Sequence, residues 1–213
     1  TQSSVFEAVA EIPVQRRLPV NGIPMDDPLQ CAWLDRELLR LQKIMAVECR
    51  GSVEVKENKP RYVGPIRLAP KMKGNKLFRL IHSLVKLNKS MFVEPGRYED
   101  IKVVLSMLRR GWWFITRDAV DGYYHLKLHP SSSDLLGFVW RGLYYVFLVP
   151  CFGHCASPGH FTMVWTALVD YWRDVCGIPA SCFFDDMFAC AESLELCRRY
   201  AQFIEKECQE LGI

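Results

Sequence analysis

The segment Ser181-Cys182-Phe183-Phe184-Asp185-Asp186-Met187-Phe188-Ala189-Cys190 sets two adjacent carboxylates in an otherwise apolar run. Apolar stretches on either side of a two-residue polar tip read as a β-hairpin. The tip carries none of the Gly or Asn that such a tight turn prefers. Like charges side by side repel, and a divalent cation would offset that cost. Mg²⁺ takes carboxylate oxygens and keeps positions open for water and phosphate. An Asp-Asp pair alone also suits an ordinary solvated turn, so a further carboxylate has to decide. Trp112-Trp113-Phe114-Ile115-Thr116-Arg117 is aromatic and β-branched, as a buried strand should be, and it ends at Asp118. A strand that delivers Asp118 beside Asp185 and Asp186 would gather three carboxylates at one sheet edge. Such a cluster suits two Mg²⁺ ions that clamp the attacking and leaving oxygens of an in-line displacement at phosphorus.

The elements that must hold these residues are legible as alternating helices and hairpins. Residues 1–26 are irregular and polar, with Pro13, Pro19 and Pro24, and read as an arm. Asp27 followed by Pro28 signals a helix start. Leu34, Leu38, Leu41 and Met45 then recur at helical spacing. Extended segments are expected near Gly51–Val55 and Gly64–Leu68. Pro95-Gly96 marks a turn before a helix at about Tyr98–Arg109. Phe138-Val139-Trp140 and Leu143–Val149 flank Arg141-Gly142 as a second hairpin. Helical spacing runs from about Ser157 to Val175. A last helix from about Ser193 puts Leu194, Cys197, Ala201, Ile204, Cys208 and Leu211 on one face, with Gly212 as its C-terminal cap. The expected class is α+β: a ferredoxin-like antiparallel sheet backed by helices, with a subdomain inserted. The expected division is an N-terminal arm over 1–27, a segment with a leading helix over 28–110 and the carboxylate-bearing part over 111–213.

Composition bounds the function classes. A chain of 213 residues with 50% apolar content can bury a sizeable core. Nine cysteines without paired C-x-x-C spacing argue against a disulfide framework and for a reducing, intracellular compartment. No stretch approaches the roughly 18 apolar residues of a membrane span. A start at Thr1 with no signal or transit pattern suits a processed or excised piece. Net charge is only +3, but its distribution is uneven. Residues 56–110 hold 14 Lys and Arg against 4 Asp and Glu, a net of +10, and the remainder 13 against 20, a net of −7. A basic segment against an acidic, carboxylate-bearing remainder suits phosphate binding in one part and metal in the other. A solvated lysine face gives the same count.

The order and surroundings of the carboxylates resemble the palm of a reverse transcriptase, which implies a ferredoxin-like palm over 111–213 and a fingers subdomain with the leading helix over 28–110. Pro70-Lys71-Met72-Lys73-Gly74-Asn75-Lys76-Leu77-Phe78-Arg79-Leu80-Ile81, continuing to Leu87-Asn88-Lys89, is similar to the family's lysine-rich fingers loop and the string after it. Asp118-Ala119-Val120-Asp121-Gly122-Tyr123 resembles the first catalytic motif. Phe152-Gly153-His154-Cys155-Ala156-Ser157-Pro158-Gly159-His160-Phe161 resembles the Phe-Gly…Ala-Pro…Phe motif, and Phe183-Phe184-Asp185-Asp186 the aromatic-x-Asp-Asp motif. The nearest flavour is that of LTR-type and DIRS-like retroelements, through Gly51-Ser52-Val53-Glu54 and Arg79-Leu80-Ile81. Ser83 and Val85 stand where the family usually has Asp and Arg. Cys151 and Ser157 replace the usual Pro and Ala.

The resemblance implies an RNA-directed DNA polymerase that uses two Mg²⁺ ions, with Mn²⁺ as a substitute. Its partners would be an RNA template, a DNA primer and dNTP. Asp118, Asp185 and Asp186 would be catalytic and ligate the metal. Lys71 or Lys73, with Arg79, would neutralise the triphosphate. Backbone N–H groups at Asp121, Gly122 and Tyr123 would cradle it. Tyr123 would exclude a 2′-hydroxyl, and Phe152 and Gly153 would lie against the nascent base pair. The chain stops at Leu211-Gly212-Ile213, where the family's next palm strand begins, so thumb, connection and ribonuclease H are expected to be absent. The alternative is an exapted, inactive domain serving as a structural or RNA-binding subunit of a larger ribonucleoprotein or protein assembly. An RNA-dependent RNA polymerase is disfavoured by Tyr123. Cys151, His154, Cys155 and His160 also offer zinc ligands, at a spacing too compressed for an ordinary finger. His82 reads as a core histidine, and His125 and His129 as facing nucleic acid or solvent.

Overall fold

The structure is a computed structural model that describes residues 12, 13, 15, 17–71, 77–93, 98–184 and 186–212. In chain order its first elements are α1 (Pro28–Lys43), β1 (Val47–Ser52), β2 (Ile66–Pro70), β3 (Phe78–His82), α2 (Val85–Asn88) and α3 (Ile101–Met107). They are followed by β4 (Trp113–Asp118), α4 (Pro130–Ser133), β5 (Gly137–Trp140) and β6 (Leu143–Phe147). The last are α5 (Ser157–Asp174), β7 (Ala180–Phe183), β8 (Asp186–Ala191) and α6 (Leu194–Glu210). All strand pairing between these elements is antiparallel, in three sheets ordered β1-β6-β5, β2-β3 and β4-β8-β7, so the class is α+β as expected. The chain forms two compact units: Thr1–Val93 with Leu126–Ser157, and Glu94–His125 with Pro158–Ile213.

The first unit is built on α1 and the β1-β6-β5 sheet. The Asp27 carboxylate accepts the N–H groups of Leu29 and Gln30, and Pro28 supplies a preset φ at the first turn. Leu34, Leu38 and Leu41 are buried. The expected fourth member of that face, Met45, is not. The helix caps at Ile44, and Met45 turns into the left-handed region (φ 56) and is 65% exposed. The first strand therefore starts earlier than the expected Gly51–Val55. Gly51, at φ 102, sits at a register shift in the middle of the β1–β6 pairing. The β5–β6 hairpin turns on Arg141 (φ 45) and Gly142 (φ 72), the positive pair that its two-residue loop requires. Asp35 on α1 clamps that turn, accepting Trp140 Nε1 at 2.8 Å and both arms of Arg141.

In the second unit β4, α5, β7, β8 and α6 follow one another with sheet order β4-β8-β7. This is the arrangement of the first three strands and both helices of a ferredoxin-like βαββα unit. The α5 face of Phe161, Trp165, Val169 and Trp172 is buried. Ser193 Oγ caps α6 by accepting from Leu196, and Gly212 (φ 74) follows its end. Cys197 and Ile204 are buried as expected, whereas Leu194 and Leu211, at the helix ends, are exposed. The helix expected at Tyr98–Arg109 is shorter, because Asp100 caps it at Lys102. The expected turn at Pro95-Gly96 lies outside the described residues. All nine cysteines are free thiols. Among the described residues no helix is long and apolar enough to cross a membrane.

Candidate functional site

The β4–β8 register puts Asp118 directly opposite Asp186, and the β7–β8 register puts Phe183 opposite Asp186. Residues opposite one another in an antiparallel pair share a sheet face, with Cα atoms about 4.5–5.5 Å apart. Asp118 and Asp186 therefore stand side by side on one face, and both are exposed. Thr116, Phe188 and Ser181 continue that face, while Ala180, Cys182, Met187 and Ala189 form the opposite one and are buried. Alternation along the strands thus divides the sheet into a core side and a working side. Strand β4 differs from its sequence reading. Its aromatic run forms the strand, but Trp113 is 49% and Phe114 62% exposed.

The hairpin tip is also shifted. Asp186 opens β8 as a paired strand residue, and Phe184 occupies the turn at φ 56. Its ring packs 4.7 Å from Phe183 and 4.6 Å from Tyr98. Asp185 lies outside the described residues, as does Lys73. Beside Asp186 the working face opens a cavity of about 890 Å³, walled by Tyr98, Ile101 and Val104 and by Thr116, Phe183 and Phe188. Glu99 fixes the wall that enters α3. It accepts Arg173 at 2.7 Å and Ser181 Oγ at 2.5 Å. Burial works to raise the Glu99 pKa, but the hydrogen bonds from Arg173 and Ser181 prevail and hold it below the usual carboxylate range.

After β4 the chain turns at Asp121 (φ 55) into a short 3-10 helix, Gly122–His125, with Tyr124 N donating to Asp121 O. A Cβ on Gly122 would fall 2.6 Å from Phe161 Cζ, so the turn closes onto that ring. Tyr123 meets the same ring edge-on at 5.6 Å. Phe161 in turn contacts Trp165, and Trp165 contacts Trp172, forming an aromatic column behind Tyr123. Phe161 ends a motif recognised in the sequence, but the spacing alone did not reveal that it backs Tyr123. His125 is exposed and faces the carbonyls of Val120 and Gly212 through its two ring nitrogens.

In the first unit, Arg79 and Phe152 meet. The guanidinium carbon lies 4.6 Å from the ring centroid, a cation–π distance. Lys71 is exposed at the end of the β2–β3 hairpin, its N–H donating to Leu77 O. The neighbouring Gly153 has φ 105, and a Cβ there would fall 1.9 Å from His82 O, so only glycine fits. His82 N donates to Phe152 O at 2.9 Å. His82 is fully buried, stacked 5.8 Å from Phe147 and edge-on to Phe138, and burial lowers its pKa to about 3. The alternative zinc ligands do not assemble. Among the described residues no three His, Cys, Asp or Glu side chains are grouped to hold a metal. Cys151 packs instead against His82 Nδ1 at 3.9 Å, with burial raising its thiol pKa.

No family model matches the chain. Over 124 residues, 58% of the chain, it is 25% identical to the Pro-Pol polyprotein of Simian foamy virus type 1. Over 138 residues, 65% of the chain, it is 24% identical to the retrovirus-related Pol polyprotein from transposon opus of Drosophila melanogaster. A 60-residue stretch, 28% of the chain, is 33% identical to the enzymatic polyprotein of Cestrum yellow leaf curling virus. The chain spans only 9% to 13% of the length of these relatives. Among solved structures, a foamy viral protease-reverse transcriptase in complex with double-stranded DNA matches with a TM-score of 0.74 at 18% identity, over 98% of this chain and 33% of that one. The foamy viral protein in complex with an RNA/DNA hybrid matches with a TM-score of 0.72 at 18% identity, over 96% of this chain and 25% of that one. The chain thus has the fold of a reverse transcriptase and is similar in sequence to the Pol polyproteins of retroviruses and LTR-type retrotransposons.

Proposed function

We propose that this chain is the fingers and palm of an RNA-directed DNA polymerase. The observation that carries the reading is the pairing of Asp118 with Asp186 on the open face of β4-β8-β7. Both carboxylates offer hard oxygen donors to solvent, which fits Mg²⁺ and, with Asp185 contributing from the hairpin, fits two ions. Asp118, Asp185 and Asp186 would hold them. Bound there, the ions would lower the pKa of the primer 3′-hydroxyl and neutralise the departing pyrophosphate, with Mn²⁺ able to substitute.

The remaining roles belong to protein groups. Arg79 presents a planar, permanently charged fork whose face is supported by Phe152, suited to a bidentate phosphate contact. Lys71, and Lys73 from the same loop, would supply point charges to the triphosphate. The turn at Asp121, Gly122 and Tyr123 carries successive backbone N–H groups in a positive-φ turn, a geometry suited to anions. Tyr123 is held by Phe161, so a sugar 2′-hydroxyl would meet a ring with little freedom to withdraw. This supports dNTP over rNTP as substrate. An RNA template and DNA primer follow from the same reading, in line with the double-stranded DNA and RNA/DNA hybrid bound in the foamy viral structures.

Primer extension tests it. The chain is given oligo(dT) on poly(rA), dTTP and Mg²⁺ or Mn²⁺, beside Asp118→Asn and Asp186→Asn variants. Extension by the parent and not by the variants is the expected result. A folded parent that binds the duplex without extending it would assign the chain instead to a non-catalytic, RNA-binding subunit of a larger assembly.

A further inference from the structure

We infer that Asn88 is a positioning residue for incoming nucleotide, acting through the turn that presents Phe152 and Gly153; this rests on the polymerase reading above. Asn88 is the last residue of α2, and its side chain reaches the loop after β6. Its Nδ2 donates to Gly153 O at 2.8 Å, and its Oδ1 accepts from Cys155 N at 3.2 Å. Both ends of the amide are thereby engaged, one on each side of His154. The pairing fixes the orientation of the amide, since a flipped side chain would set carbonyl against carbonyl and N–H against N–H.

The turn has reason to be pinned. Gly153 sits at φ 105 against the backbone of His82, in a conformation that L side chains rarely adopt. On the near side the turn is held by His82 N to Phe152 O and by Ser157 Oγ to Cys151 O. Asn88 supplies the hold on the far side. Between these points Phe152 offers its ring to Arg79, a stacked pair that depends on where the 152–155 backbone lies. Loss of the amide would let the turn relax, so Arg79 would lose its supporting face. The carboxylates Asp118 and Asp186 belong to the other unit.

The expected signature is therefore a KM effect. Asn88→Ala in the 213-residue chain removes both hydrogen bonds. Asn88→Asp keeps the acceptor for Cys155 and sets an oxygen against Gly153 O. In primer extension, Asn88→Ala is expected to raise the KM for dTTP about tenfold while kcat stays within about twofold of the parent. Amide exchange followed by NMR should show Cys155 N–H losing protection in Asn88→Ala and keeping it in Asn88→Asp. An unchanged KM in Asn88→Ala, or a fall in kcat alone, overturns the nucleotide role, even if Cys155 exchanges faster. Unchanged protection at Cys155 in Asn88→Ala overturns the clamp. A folded parent that does not extend primer overturns the polymerase reading and the nucleotide role together, whereas the exchange result still decides the clamp.

Discussion

The two three-stranded sheets are wired alike and exposed differently. In β1-β6-β5, residues Tyr144 to Phe147 are all buried, and Phe138 and Trp140 face them from β5 with almost no exposure. In β4-β8-β7 the face of Ala180, Cys182, Met187 and Ala189 is buried, the opposite face is buried only at Ser181 and Cys190, and β4 is exposed along nearly its whole length. A strand covered on both sides reads as a continuous apolar run, whereas one covered on one side alternates. The first sheet is a scaffold whose side chains are used up in packing. The second keeps a face on which Asp118, Asp186 and an 890 Å³ cavity remain accessible. A protein that must both hold a shape and admit a large charged ligand can divide those tasks between two sheets.

The sharpest test of that division sets activity against stability. Asp186→Asn should abolish extension, a loss of about a thousandfold or more for removing a charge that stabilises the transition state. Because Asp186 is exposed, the thermal midpoint should hardly move. Phe147→Ala should do the reverse, costing about 3–5 kcal/mol in denaturant unfolding, because its ring is 1% exposed and packs against His82 and Phe138. A Phe147→Ala variant as stable as the parent would remove the scaffold from the comparison.

Acid should separate the units. His82 titrates near 6.5 when unfolded and near 3 when folded, so the native state resists its protonation. Its stabilising contribution is complete above pH 6.5 and is lost as pH falls towards 3, by about 5 kcal/mol at most. Glu99, whose pKa is also lowered on folding, acts in the same sense, but its contribution is lost only below about pH 4.5. The amide protection factor at Val146, taken against the intrinsic exchange rate at each pH, should therefore fall between pH 6.5 and 5, before that at Cys182 does. His82→Gln should flatten that first limb. Simultaneous loss in both units would show that they unfold as one.

Two glycines compare backbone strain with crowding. Gly153 and Gly177 both have positive φ, 105 and 67, but a Cβ on Gly153 would overlap His82 O whereas one on Gly177 meets nothing within 4 Å. Gly177→Ala should cost only the left-handed penalty of about 1–2 kcal/mol. Gly153→Ala should cost more, about 3 kcal/mol, because the loop must also move. Equal losses by urea titration would mean that the φ value alone governs both.

Much of the arrangement was written in local sequence. The Asp27-Pro28 start, the Arg141-Gly142 turn and the Ser193 cap all depend on neighbours within a few residues. What escaped depended on distant ones. Burial of β4 could not be read from its own residues, since Trp113 and Phe114 have the same β propensity whether a further layer covers them or not. Met45 kept the helical period but fell beyond a C-cap whose position is set by the descent into β1. Asn88 and Phe161 were visible as motif letters, and their contacts with Gly153 and Tyr123 arise only when loops remote in sequence are brought together. Cys151, His154, Cys155 and His160 offered zinc ligands by type, while their compressed spacing spoke against an ordinary finger, and among the described residues no such group assembles.

The smallest effect tests the open face itself. Phe114 is 62% exposed and stacks on Phe188 at 6.0 Å with an interplanar angle of 26°. Replacing it by Thr keeps the β propensity and removes one exposed aromatic pair, worth about 0.5–1.5 kcal/mol. Denaturant unfolding of Phe114→Thr should therefore shift by about 1 kcal/mol or less, with the slope unchanged. A loss of about 3 kcal/mol would be the cost of a buried ring, and would mean that this face is covered in solution. The contrast between a packed sheet and an open one would then fail at its most exposed strand, and access to Asp118 would require that cover to move.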